Sequence, residues 1–152
     1  MLQDARTVLL LNLTLSLFMT GVIWYVQIAQ YPLFHQVGRE QFPSYHAAHT
    51  TLTTTVVALP MLAELGAAAL LVVARPASVS AGLAWLLLGL VVFIFAVTAL
   101  VSVPLHSQLA VSGYDSPTVS RLVTTNWLRT LAWTARSAVL VGLALQGASS
   151  CS

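Results

Sequence analysis

The side chains able to do chemistry in this sequence are chiefly imidazoles and guanidiniums. His46 and His49 stand three residues apart in FPSYHAAHT, His106 lies in VPLHSQLA, and His35 lies in YPLFHQVG. Residues three apart share a helix face, so His46 and His49 can turn toward one object. Neutral imidazoles ligate iron, copper and zinc, and helix bundles commonly hold such ions between facing helices. His46, His49 and His106 are therefore candidate transition-metal ligands, with His35 as a fourth. Haem is less economical, since it needs two imidazoles opposed across the bundle, for example His49 and His106. The H-x-x-H spacing lacks an adjacent Glu, which excludes the HExxH zinc-protease pattern. Imidazoles also suit a membrane interface, so proton handling or plain hydrogen bonding to headgroups and water stay open beside metal binding.

A second constellation lies near the C-terminus. Asn126, Arg129, Trp133 and Arg136 follow one another at offsets of 0, 3, 7 and 10, one polar stripe on an otherwise apolar helix. Intramembrane charges cost roughly 2.5–3.5 kcal/mol each on insertion scales, so each demands a partner. Glu64 shares a helical face with His46 and His49, but at 1.5 Å per residue it lies about 27 Å from the first and about 22 Å from the second, too far for one ion. Its depth, about 31 Å below the start of its helix, matches that of Arg136, about 28 Å below the start of the last one. A Glu64–Arg136 ion pair that fixes helix register is expected, with Asn12 nearby. Arg129, about 18 Å deep, has no acidic partner in the sequence pattern and with Asn126 is a candidate for holding an anionic or carbonyl-bearing ligand. Trp24 and Trp127, with Tyr25 and Gln27, fall in the same zone and are candidate substrate contacts, although aromatic belts are routine at membrane interfaces.

The elements that must position these groups follow from composition. Hydrophobic residues make up 58% of the 152-residue chain and charged residues 7%, against roughly 25% in soluble domains. Such a chain cannot build a water-soluble surface. The segments 7–30, 51–74, 81–105 and 126–146 each approach the roughly 20 apolar residues that cross a bilayer core of about 30 Å. The expectation is one all-α domain over 1–152, an integral membrane antiparallel four-helix bundle with helices at about 7–30, 43–74, 80–111 and 117–146. The first is read as a retained helix, since Arg6 alone makes no basic n-region and no small-residue cleavage site follows. Pro60 is expected to kink the second helix, Ser78 or Ser80 to cap the third, Ser112-Gly113 to stop it, and Ser116-Pro117 to open the fourth. Connections of about 12, 5 and 5 residues make sequential helices antiparallel neighbours. Four spans return both termini to one side, taken as cytoplasmic, and gather His35, His46, His49 and His106 at the other end. Arg6 and Arg75 on one side balance Arg39 and Arg121 on the other, so charge does not set the orientation.

A net charge of +2 from six arginines and four acids gives no nucleic-acid footprint. The single cysteine, Cys151, can form no disulfide within the chain. No internal repeat marks a transporter, and the other helices lack the repeated polar faces of a channel.

With QIAQYPLFHQVG, FPSYHAAHT, PMLAELG, VPLHSQL and TNWLRTLAWTAR in place, the chain resembles a group of small, largely uncharacterised bacterial four-span membrane proteins over nearly its whole length. More distantly it resembles the anthrone oxygenase-like family, through the proline-ended third helix and the Trp- and Arg-bearing fourth. It departs from that family in carrying Leu105-His106 after the proline. The resemblance implies a bacterial inner membrane and oxidation of an apolar compound, with aromatics among the candidates. Together these readings lead to a His-lined intramembrane pocket in a metal-dependent oxidase or oxygenase of a lipophilic small molecule, with iron, copper or zinc as cofactor. The alternative is a non-catalytic membrane subunit or small-molecule carrier whose His and Arg side chains bind a ligand or partner. Expected partners are the lipid bilayer, a lipophilic small molecule and a second copy of the chain.

Overall fold

A computed structural model describes residues 2–149, and side chains from residue 5 to residue 146. Cys151 lies outside the described residues. The chain is all-α. Helix α1 (Leu2–Tyr25) passes into a π turn (Val26–Gln30) and a 3-10 turn (Pro32–Gln36), and α2 follows at Phe42–Val73. The third span combines α3 (Ala81–Val97), a second π turn (Thr98–Ser102) and α4 (Val103–Ser112), and the last is α5 (Ser116–Ser149). Four helical spans, Ala5–Gln36, Phe42–Val73, Ala81–Ser112 and Ser116–Gln146, are long and apolar enough to cross a membrane. Neighbouring spans pack in a ring: α1 on α2, α2 on α3, α3 on α5 and α5 on α1.

The helix ends follow local chemistry. Ser80 caps α3 by accepting the Leu83 amide at 3.2 Å. Gly113, at φ 73°, stops α4 in a backbone conformation that a Cβ would strain. The start of α5 differs from expectation: Asp115, not Ser116, accepts the Thr118 amide at 3.0 Å and also bonds the Thr118 hydroxyl. A carboxylate is the better cap because it also meets the positive end of the helix dipole. α2 runs on through Pro60 as one helix.

The prolines at 32 and 104 act differently from Pro60. Each lies two residues beyond the end of a π turn, and each turn closes with an i→i−5 amide bond, Tyr31 to Val26 and Val103 to Thr98. Proline lacks an amide hydrogen and its ring clashes with the carbonyl four residues back. Widening the turn before it relieves the clash, and rotates every later side chain relative to an unbroken helix.

The bundle is tied toward the end away from the histidines by polar contacts. Arg136, fully buried, donates to Glu64 Oε1 at 2.9 Å, to Asn12 Oδ1 at 2.6 Å and to the Leu87 carbonyl at 3.3 Å. Trp133 Nε1 donates to the other Glu64 oxygen at 2.8 Å, and Asn12 Nδ2 donates to the Ala67 carbonyl at 2.8 Å. All four spans therefore meet at one ion pair. Above it, Ser16, Thr20 and Ser137 share hydroxyl bonds of 2.8–2.9 Å across the α1–α5 seam, where small side chains bring the backbones together. Two apolar clusters flank these contacts, one around Phe34, Phe42, Leu109 and Leu122 and one around Leu71, Leu87 and Leu140.

Breaking a buried ion pair by removing one partner costs about 3–5 kcal/mol, whereas replacing both by apolar groups is often neutral. Glu64→Gln is therefore expected to lower the thermal unfolding midpoint in detergent far more than Arg121→Gln, and Glu64→Leu with Arg136→Met to recover most of the loss. Equal tolerance of Glu64→Gln and Arg121→Gln would refute the role assigned to the pair. Outside the membrane, the Thr118 hydroxyl and amide hold the Asp115 carboxyl below its ordinary value of 3.8. Its cap is thus complete above that value and is lost as pH falls through the lowered one. Asp115→Ala should lower the midpoint at pH 7 and have no effect at a pH low enough to protonate the native carboxyl.

Candidate functional site

The first π turn and the Tyr31-Pro32 step place Tyr31 in the bundle interior, 4% exposed. The second carries Thr98 and Ser102 and is followed by His106. These elements meet the His46 and His49 turn of α2 and the Arg129 turn of α5. His46 Nε2 lies 3.0 Å from His106 Nδ1, His106 Nε2 lies 3.0 Å from the Tyr31 hydroxyl, and Arg129 Nη2 lies 3.2 Å from the same hydroxyl. Arg129 also bonds Asn126 Oδ1 through Nε at 3.1 Å and through Nη2, and Thr98 Oγ1 at 3.4 Å. Asn126 Nδ2 in turn donates to Gln27 Oε1 at 2.9 Å.

This chain has one direction. A guanidinium can only donate, so the Tyr31 oxygen accepts from Arg129, and because His106 Nε2 is the hydroxyl's other partner among the described residues, the arrangement that satisfies the phenol proton donates it to Nε2. A neutral His106 that accepts at Nε2 carries its proton on Nδ1, which donates to His46 Nε2. All protons point from Arg129 toward His46. His49 is held separately: Gln30 donates to its Nδ1 at 3.1 Å, and Thr53 Oγ1 lies 3.4 Å from the same atom. That assigns the His49 proton to Nε2, which has no hydrogen-bond partner among the described residues.

Phe34, wholly buried, closes the cluster on the loop side, with its ring centroid 4.9 Å from His49, 5.9 Å from His46 and 6.5 Å from His106. On the opposite side a groove of about 360 Å³ opens between α2 and α4, bordered by Thr50, Thr54, Ser107 and Ala110 and floored by the histidines, Tyr31 and Arg129.

The structure sorts the candidate residues. His46, His49 and His106 come together: the His46 and His106 ring centroids are 5.2 Å apart and those of His49 and His106 5.9 Å. His35 does not join them; it is turned toward the surface, its Nδ1 3.1 Å from the Tyr114 hydroxyl. Its 3-10 turn puts Phe34 inward and the next residue outward. Among the described residues no three His, Cys, Asp or Glu side chains are grouped to hold one ion. Asn126 and Arg129 belong to the site. Arg129 is 7% exposed, and its partners Asn126, Tyr31 and Thr98 are all neutral.

Trp24 and Trp127 do not line the groove. They stack edge-on at 5.5 Å on the outer α1–α5 seam, and Trp24 Nε1 donates to Thr134 at 3.0 Å. Trp127 follows Asn126 by one residue, which on a helix is a turn of about 100° away from the polar stripe. Glu64 and Arg136 form the ion pair described above, apart from this cluster.

Sequence reasoning missed Tyr31, Gln30, Thr53 and Thr98. The one sequence signal beside Tyr31 is Pro32, and proline alone does not mark a widened turn, since α2 passes through Pro60 without one. No protein-family model matches the chain, and no curated protein or solved structure matches it.

Tyr31→Phe removes the hydroxyl shared by Arg129 and His106 and leaves buried groups short of a partner, a loss of about 1–3 kcal/mol. The expected result is a clear fall in the unfolding midpoint, whereas His35→Phe, which breaks one surface bond, should shift it little. A Tyr31→Phe protein as stable as wild type would disprove the connected chain.

Proposed function

We propose that the groove between α2 and α4 binds a lipophilic molecule through an anionic or carbonyl oxygen, and that the imidazole–phenol–guanidinium chain manages the proton of that head group during its oxidation. The observation that carries this reading is Arg129 bonded to Tyr31, and Tyr31 to His106, at the floor of a groove in an apolar bundle. Arg129 supplies a buried positive charge whose bonding partners are all neutral, so an oxyanion beside it gains a full counter-charge. A base is present in the same contact chain. A proton taken from the ligand head can move through Tyr31 and His106 to His46, leaving the ligand anion against the guanidinium. Oxidation requires that such an anion give electrons to an acceptor, and dioxygen, itself apolar, partitions into the surrounding lipid.

A specific observation favours a second reading. Two imidazole nitrogens 3.0 Å apart, His46 Nε2 and His106 Nδ1, also suit a shared transition-metal ion, with His49 as a third ligand after a ring rotation.

The test uses purified protein in lipid nanodiscs. Lawsone, an acidic hydroxynaphthoquinone, is the binding probe, and dioxygen uptake with anthrone is the turnover probe. Hydrogen bonds to a charged group are worth about 1.5–3 kcal/mol. Arg129→Gln should therefore weaken lawsone binding about tenfold or more and abolish anthrone-dependent uptake. The unfolding midpoint, measured alongside, separates loss of the charge from loss of the fold, because the glutamine amide can still donate to Asn126 or Tyr31. Lawsone affinity unchanged in Arg129→Gln would refute the reading, and binding without uptake would mean a carrier. Metal analysis after metal-replete expression separates the two readings of the histidines: stoichiometric metal lost in both His49→Ala and His106→Ala establishes the second, and metal-free wild type removes it.

A further inference from the structure

Beside the polar groove lies a second, open groove of about 500 Å³ on the outer face between α1 and α2, where Tyr25, Leu52 and Val56 are exposed. Its walls are Gly21, Val22, Val26, Leu52 and Val56, and its polar groups, Gln30, His49 and Thr53, sit next to the imidazole cluster. The stripe His49, Thr53 and Val57, at i, i+4 and i+8 on α2, lines both grooves. Both volumes lie within the roughly 300–1,000 Å³ typical of small-molecule sites. One compartment thus offers charge and hydrogen bonds, the other almost only hydrocarbon, and they meet along a single helix face.

Resting on the reading of the polar groove as a ligand site, we infer that the two grooves are the head and tail compartments of one site, and that the ligand is a single-tailed amphiphile. Its oxygen-bearing head lies against Arg129, Tyr31 and His106, and its hydrocarbon extension lies across α2 in the groove beside Gly21. A small singly charged or neutral head carried by an acyl, prenyl or alkyl chain matches one polar and one apolar compartment that meet along a single helix face. His49 sits at the junction with its Nε2–H unpartnered among the described residues, placed to donate to the second oxygen of a vinylogous acid or carboxylate head. Gly21 leaves the tail compartment open, for a Cβ built there meets nothing within 4 Å.

The experiment compares lawsone with its undecyl derivative, the same head with a hydrocarbon tail, on full-length protein in nanodiscs. Comparing variants with wild type cancels bilayer partitioning. Gly21→Leu fills the tail compartment from α1, Val56→Trp fills it from α2, and Gly89→Leu places the same glycine replacement on an exposed part of α3, where a Cβ also meets nothing. Gly21→Leu and Val56→Trp are each expected to weaken undecyl-lawsone at least tenfold while lawsone stays within twofold, and Gly89→Leu to change neither. Undecyl-lawsone binding unaffected by both groove-filling variants, or absent from wild type, overturns the inference. So does an equal loss of both ligands. Wild type that binds only the undecyl probe, with loss in both groove-filling variants, supports the tail compartment and refutes the head-group reading of the polar groove. The two ideas therefore fail separately.

Discussion

A carboxylate and a guanidinium in hydrocarbon must find each other, and the Glu64–Arg136 pair sets the geometry on which the rest of this bundle depends. Apolar helices in lipid gain little from burying hydrophobic surface, because lipid tails are as apolar as the side chains they replace. Register and rotation must come from groups with no satisfactory alternative. Arg136 is such a group: its bonds reach α1 through Asn12, α2 through Glu64 and α3 through the Leu87 carbonyl. Once it is docked, α5 can neither slide nor rotate without leaving a buried charge exposed to hydrocarbon. Arg129 lies seven residues earlier, close to two full turns, so the same docking directs it inward about 10 Å nearer the histidines. The structural pair aims the candidate site.

The two arginines differ in how their buried charge is met. Arg136 has a carboxylate, an amide oxygen and a backbone carbonyl as acceptors. Arg129 has an amide oxygen and two hydroxyls, which satisfy hydrogen bonds but do not cancel its charge. Hydrogen bonding to neutral groups lowers the cost of burying a cation, yet leaves the local potential positive. A bundle needing only a register pin at this level could use a neutral side chain there at lower cost. A positive potential beside a groove and a row of imidazoles is what an anionic head group requires.

The sequence made one half of this arrangement legible and concealed the other. Charged residues in an apolar chain are few enough that helical depth alone pairs Glu64 with Arg136, and the offsets 126, 129, 133 and 136 mark one face. The histidines were legible for the same reason: four imidazoles in four spans, three of which share a level in the folded chain. Tyr31 was not, because an aromatic near a helix end has an ordinary interfacial explanation, and because straight-helix counting fails after a π turn. The serines and threonines that zip α1 to α5, Ser16, Thr20 and Ser137, escaped notice because hydroxyls return readily to their own backbone, and nothing in their spacing shows that they cross to a neighbour. Trp24 and Trp127 were assigned by depth alone, and a residue one position from a polar stripe faces about 100° away from it.

The two π turns explain how a chain so poor in polar residues focuses several of them on one point. Each precedes a proline by the same interval, and each feeds one member of the central contact, Tyr31 from the first span and His106 from the third. A straight helix would carry these side chains on faces set by uninterrupted 3.6-residue periodicity, which must also satisfy packing further down each span. The widened turn decouples the two demands: below it the helix packs, above it the helix presents. Pro60, with no such turn before it, removes the helical donor to the Val56 carbonyl on α2, beside the α1–α2 groove that Val56 lines. At the histidine end the first and third spans are interrupted while α2 and α5 run through unbroken, and at the opposite end all four are continuous and held by the ion pair.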